Sequence, residues 1–304
     1  MLAVLSKASI LFLIILMGYF LKRVGFFGPD TFKILSKILL NITLPCTIIS
    51  NFGRTTMDFS MLAIAGIGFL CNVLMILVGY AVTPKKKEDI AFAMLNYSGY
   101  NIGSFTMPYI QGFLGPAGVV TACLFDAGNA VLCIGGTYAI VSVFLNPQEK
   151  TTVSSFCKKI FSIATVDVYL IMMFLTLINI FPPEYIMSFA DTVGAANSFI
   201  AMLMIGVGIN FQLKKNQISV LVKMLIYRYG IAAILAALFY FYLPFPLEIR
   251  QVTALIALAP ISSSAAAFTE KCDGDVGLAS TMSSLSILIS VILMTSMLLT
   301  MHIT

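Results

Sequence analysis

The chain has 304 residues, 60% of them hydrophobic and only 10% charged, with a formal net charge of +5. There are too few polar side chains to coat a soluble globule, so a water-soluble enzyme or binding domain is excluded and a polytopic helical membrane protein is expected. The positive excess is explained by loop lysines that orient the chain, and it gives no ground for a nucleic-acid partner.

In chain order, apolar runs long enough for a hydrocarbon core of about 30 Å cover 2–21, 34–52, 61–82, 90–113 and 117–144. After a polar stretch they resume at 160–181, 185–207, 218–243, 247–269 and 276–301. The first run continues into Lys22-Arg23 without a small-residue cleavage pattern, so it is read as a span and not a secretory signal. Ten spans result, five before and five after the linker 146–159.

Loops after spans 1, 3, 5, 7 and 9, with their flanks, carry Lys22, Arg23, Lys33, Lys37, Lys85, Lys86, Lys87, Lys150, Lys158, Lys159, Lys214, Lys215, Lys223 and Lys271. The other loops carry only Arg54 and Arg250. Fourteen cations against two place both termini outside the cytoplasm. An odd number of spans per half makes the second half, 160–304, enter inverted relative to the first, 1–145. Weak self-similarity supports this: a shift of 159 residues pairs Gly115 with Gly274 and Gly118 with Gly277, and Pro29-Asp30 resembles Pro183-Glu184.

Spans 4 and 9 are interrupted in corresponding places, by residues 96–108 (NYSGYNIGSFTMP) and 259–267 (APISSSAAA). Helix breakers and small polar residues at membrane depth are tolerated only where the freed backbone finds other partners, and such paired interruptions mark the substrate site of secondary transporters. Gly99, Asn101 and Gly103 loosen span 4; Pro260 breaks span 9, and Ser262, Ser263 and Ser264 can cap the half-helix that follows. Two helix N-termini, each with roughly half a positive charge, would converge on a small anion such as a carboxylate. Asn96, Tyr100, Asn101, Pro260 and the three serines are the expected substrate-binding residues. The alternative is two packed kinks whose serines bond back to their own backbone.

Asp126 lies within span 5 on one face with Gly118, Ala122, Asn129 and Cys133. It could hold a coupling H⁺ or Na⁺, with Asn129 beside it, or make a structural hydrogen bond to the broken backbone of span 4. The 159-residue shift maps it onto Leu285, while span 10 carries a hydroxyl face of Ser283, Ser286 and Ser290. Arg228, near the middle of span 8, could attract an anion, or snorkel and pair with a carboxylate. Asp167 and Asp191 are read as interfacial, and Asn41, Thr43, Pro45, Asn197 and Ser198 as weaker candidates for lining the site. Six cysteines without a CxxC pair, and His302 as the sole histidine, make a disulfide framework, a metal centre or a catalytic zinc cluster unexpected. Neither a cofactor nor a nucleotide-binding GxxxxGK[ST] motif is expected.

The segment Gly18-Tyr-Phe-Leu-Lys-Arg-Val-Gly25, Leu44-Pro45, the Asn96…Gly103…Pro108…Gly115 pattern, and Ala259-Pro260 with Ser283–Ser290 resemble the auxin efflux carrier family. That family includes bacterial malonate/malate-type carriers and plant PIN-type carriers. The resemblance implies ten helices in two inverted five-helix repeats, with broken spans 4 and 9 crossing at Asn101 and Pro260. It also implies a scaffold bundle and a moving transport bundle, similar to bile acid sodium symporters, and an organic anion as substrate. Expected surroundings are the lipid bilayer of the cytoplasmic membrane. A homodimer, the direction of flux and the coupling ion are left open, as are a Na⁺-coupled bile-acid-like symporter and a channel or membrane scaffold.

Overall fold

The computed structural model describes residues 2–83, 86–146, 164–211 and 217–301. Residues 147–159 of the expected linker, Lys85, Lys150, Lys158, Lys159, Lys214, Lys215, Cys157 and His302 lie outside the described residues. Among those described, every regular element is helical. Six helical stretches are long and apolar enough to cross a membrane: Leu5–Arg23, Thr31–Phe52, Phe59–Val82, Glu184–Gly208, Ile218–Tyr242 and Val276–Thr300. They coincide with expected spans 1, 2, 3, 7, 8 and 10. Large apolar side chains such as Leu13, Leu70, Phe174, Ile226, Phe241 and Ile292 point away from the protein. An outward surface of that kind suits lipid, not water.

The remaining expected spans are shorter or divided. The helices are α1 (Leu2–Arg23), α2 (Thr31–Ile38), α3 (Leu44–Phe52), α4 (Ala63–Val82), α5 (Lys87–Tyr97), α6 (Met107–Phe113), α7 (Gly115–Val131) and α8 (Thr137–Leu145). They continue as α9 (Ala164–Leu177), α10 (Glu184–Gly194), α11 (Asn197–Gly208), α12 (Ile218–Tyr242), α13 (Leu247–Ala257), α14 (Ser264–Lys271) and α15 (Val276–Thr300). Single π-helical turns at Leu39–Thr43, Ile102–Thr106 and Leu132–Gly136 lead into α3, α6 and α8. The first and third, together with the short turn between α10 and α11, are irregularities within spans that sequence alone suggested were regular α-helix.

The heaviest packing falls within two groups of helices, which also meet where α3 and α9 pack on α7 and α1 packs on α15. In one, α1 lies along α11, and α3 packs on α9 and α10. In the other, α4 packs on α5 and α7, α13 on α12 and α7, and α14 on α15. Glycine permits the closest approaches in each. A β-carbon on Gly206 would lie 2.1 Å from the Ile15 carbonyl oxygen, and one on Gly128 would lie 1.8 Å from that of Ala65. Among the described residues, the side-chain bonds between the groups include Tyr169 to Asp126, Ser284 to the Asn210 backbone, Lys7 to the Gly112 carbonyl and Ser198 to Gln111.

Candidate functional site

The two interruptions meet. Pro260 has no N–H to extend a helix, and the chain leaves helical geometry after Ala257, resuming at Ser264. In the other span α5 ends at Tyr97, and Gly99 adopts φ +79°, a region that favours glycine. Tyr100 and Ile261 form an antiparallel bridge in which the Asn101 N–H donates to the Pro260 carbonyl at 2.9 Å.

Buried backbone must find partners, and here most of it is satisfied by side chains of neighbouring helices. The Gly99 N–H donates to Asn72 Oδ1 at 2.6 Å. Asn129 accepts from the Tyr100 N–H and donates to the Tyr100 carbonyl, both at 3.0 Å. It also accepts from Asn72 and donates to Asp126 Oδ1 at 2.7 Å, so both ends of its amide are engaged twice. On the other strand of the crossing, Ser286 Oγ accepts from the Ile261 N–H at 3.1 Å and Ser290 donates to the Leu258 carbonyl at 2.7 Å. Helices α7 and α15 therefore do the same work, each holding open the broken span that precedes it.

Arg228 is 1% exposed and lies at the centre of this crossing. Its guanidinium donates to the carbonyls of Tyr97, Gly99 and Ala259, and stacks over the Tyr100 ring at 4.9 Å. It neither snorkels nor pairs with a carboxylate, and it lines neither of the cavities described next. Instead its charge faces the negative ends of two helices, α5 and α13, that stop there.

Two cavities flank the crossing. The first, about 380 Å³, includes Lys22, Phe32, Asn101, Asn210, Ser263 and Ser283 in its lining. The second, about 400 Å³, includes Asn101, Asp126, Asn129, Tyr169, Ser262, Ser263, Ser264 and Lys271. Asn101 and Ser263 face both. Tyr100 borders the second, but its ring is enclosed by Phe125 and Arg228. Pro260 contributes its carbonyl to the crossing and lines neither cavity. Asn96 also lies away from both, fully buried, joining α5 to α14 through Thr269 at 3.0 Å.

The serine triplet does not cap as expected. Ser263 occupies the N-cap position of α14 without a side-chain cap bond. Ser262 Oγ accepts from the Ser264 N–H and from Cys133 Sγ, while Ser264 Oγ donates to the Cys133 carbonyl. The Ala265 N–H is taken by the Ser262 carbonyl, so part of the amide array at this helix start is already used.

Asp126 is not itself bonded to the broken backbone of span 4: it accepts from Asn129, which is, and it also lines the second cavity. Its other carboxylate oxygen accepts from Tyr169 of α9 at 3.0 Å, a residue the sequence did not single out. The weaker candidates have other partners: Thr43 pairs with Asn197 at 3.1 Å where α3 and α11 begin, and Asn41 bonds to Lys37. Asp191 forms an exposed ion pair with Arg54 at 2.5 Å, which raises the Arg54 pKa above its ordinary value, chiefly through that hydrogen bond.

Apolar helices clad for lipid, with paired polar cavities at a broken-helix crossing, describe a multi-pass helical membrane protein. Residues 3–168 match the membrane transport protein family, and since this is more than half of the chain, the protein belongs to that family. Over 137 residues, 42% of the chain, it is 28% identical to an uncharacterized transporter of Methanocaldococcus jannaschii. The chain spans less than half of that relative's length, 44%.

Proposed function

We propose that the protein is a secondary active transporter that carries a small organic anion across the cytoplasmic membrane by alternating access. The chief support is that Asn101 and Ser263, at the meeting of two broken helices, border both cavities. A ligand there would contact both interrupted spans and the helices of the opposing group. In this reading the chain has ten spans in two inverted repeats, 1–145 and 160–304, with the crossing at mid-membrane and both termini outside. Lys22 and Lys271 belong to loops expected in the cytoplasm, so the cavities they line would open inward. Movement of one helix group against the other, by rocking or an elevator displacement, would then expose the crossing to the opposite side. The substrate contacts would come from Asn101 and Ser263, which border both cavities, with Ser262 and Ser264 lining the second cavity and Tyr100, Pro260, Asn96 and Arg228 holding the crossing in shape. Asp126, supported by Asn129, would hold the coupling H⁺ or Na⁺.

A Na⁺-coupled symporter resembling the bile acid carriers is the second reading, favoured by the carboxylate in the second cavity. A thermal-shift screen of purified protein against dicarboxylates, aromatic acids and amino acids, with and without Na⁺, identifies the ligand class. Counterflow in proteoliposomes then tests the carrier mechanism. Internal substrate should accelerate uptake of labelled external substrate; flux without such trans-stimulation would instead indicate a channel and refute the proposal.

A further inference from the structure

The two cavities have almost the same volume but different charges in their lining, a lysine alone in the first and a carboxylate with a lysine at the far end of α14 in the second. Lys22 is the only charged side chain lining the first among the described residues. Its ammonium is anchored to the Ile209 carbonyl at 3.1 Å. The same cavity is lined by Asn101, Ser263, Ser280 and Ser283, and Ser283 Oγ is buried without a hydrogen-bond partner. A cation, amide and hydroxyl donors, and one unused buried hydroxyl suit a carboxylate.

The second cavity contains Asp126 beside the crossing and Lys271 at the far end of α14. Seven residues separate Ser264 from Lys271, about 10 Å along a helix. The carboxylate is therefore the charge nearer Asn129, Cys133 and Ser262, while the Lys271 ammonium stands over the Tyr138 ring at 5.6 Å. Hydroxyl oxygens of Ser104, Thr165, Ser262 and Ser264 line the same space. One carboxylate with neutral oxygens balances a single positive charge and would repel an anion.

From this contrast we infer that the cavities are not two copies of one substrate site: the Lys22 cavity takes the organic anion, and the Asp126 cavity takes a monovalent cation. This deepens the transporter reading above and rests on it. Asn101 and Ser263 are the shared wall, so the bound charges would attract each other across one residue layer. Each would then strengthen the binding of the other, and reciprocally.

The test uses charged thiol reagents on the purified full-length protein. Cys133, a free thiol, lines the second cavity, and a Ser280→Cys variant places a thiol in the first. Sulfonatoethyl and trimethylammonioethyl methanethiosulfonates differ in charge but react alike: the thiolate attacks sulfur, a mixed disulfide forms and methanesulfinate leaves. Peptide mass spectrometry reads each thiol separately. The anionic reagent should be favoured at position 280 and the cationic reagent at Cys133, each by about tenfold, as expected for one unit charge nearby. Asp126→Asn should abolish the preference at Cys133 alone, and Lys22→Gln that at position 280 alone. The same preference at both thiols, reversed preferences, or no preference would overturn the assignment. These rates require no transport, so their failure leaves the carrier reading to be decided by counterflow.

Discussion

Replacing Arg228 by methionine tests the crossing most directly. Methionine roughly preserves the apolar stem and removes the guanidinium, leaving the carbonyls of Tyr97, Gly99 and Ala259 without these donors. A hydrogen bond from a charged donor contributes about 1.5–3 kcal/mol, and a buried acceptor left bare costs about 1–3 kcal/mol. The contact to Ala259, at 3.5 Å, is long and adds little. Removing the cation also recovers some of the desolvation free energy of a buried charge, which works in the opposite direction. Two well-placed carbonyls and the stacked Tyr100 ring leave a net loss of about 3–5 kcal/mol. Arg228→Lys should recover only part of it, because lysine has a single donor nitrogen where the guanidinium reaches the two carbonyls from separate nitrogens. Reversible unfolding in mixed micelles measures both variants. If the methionine variant is as stable as the parent within about 1 kcal/mol, the arginine is not what holds the two broken helices together, and the reasoning fails.

Other outcomes follow from the same geometry. Asn129→Leu should destabilise by about 3 kcal/mol, because the Tyr100 N–H loses its acceptor, while a leucine at the exposed Ile10 should change the melting temperature little. Gly128→Leu should cost about 2–3 kcal/mol or prevent folding, since α4 and α7 must separate to admit any side chain; normal thermal stability would refute that packing. Asp126→Asn should retain exchange in proteoliposomes but lose gradient-driven accumulation; unchanged accumulation would remove this carboxylate from coupling. Arg54→Ala should change unfolding free energy by less than about 1 kcal/mol, because both partners of its ion pair with Asp191 are over 40% exposed.

Local chemistry made much of this site readable in advance. Pro260 lacks an amide proton, and Gly99 reaches a backbone region closed to most residues, so both interruptions are visible in the sequence. The hydroxyl face containing Ser286 and Ser290 was likewise visible from its helical spacing, although not what it holds. Arg228 was not legible in the same way. Nothing within α12 indicates that its midpoint faces two chain breaks more than a hundred and about thirty residues away, where backbone carbonyls take the place of a carboxylate. Tyr169 was passed over for a similar reason, because its relation to Asp126 exists only once α9 lies beside α7. The π-helical turns at Leu39–Thr43 and Leu132–Gly136 left only faint marks, Pro45 after the one and Gly135-Gly136 within the other. The start of α14 shows the limit of motif reading. Three consecutive serines suggest caps, but Ser263 at the N-cap makes no cap bond, and it is Ser262, one residue earlier, that accepts the Ser264 N–H.

The glycine contacts described in the fold have a mechanical consequence. Where backbones touch at Gly206 and Gly128, there is no compliant layer of side chains to shear, and each helix group resists internal distortion. The seam between the groups is different: it is hollowed by both cavities. Stress imposed by lipid or by an occupant would therefore be relieved along that seam, with the interior of each half behaving as a stiff plate.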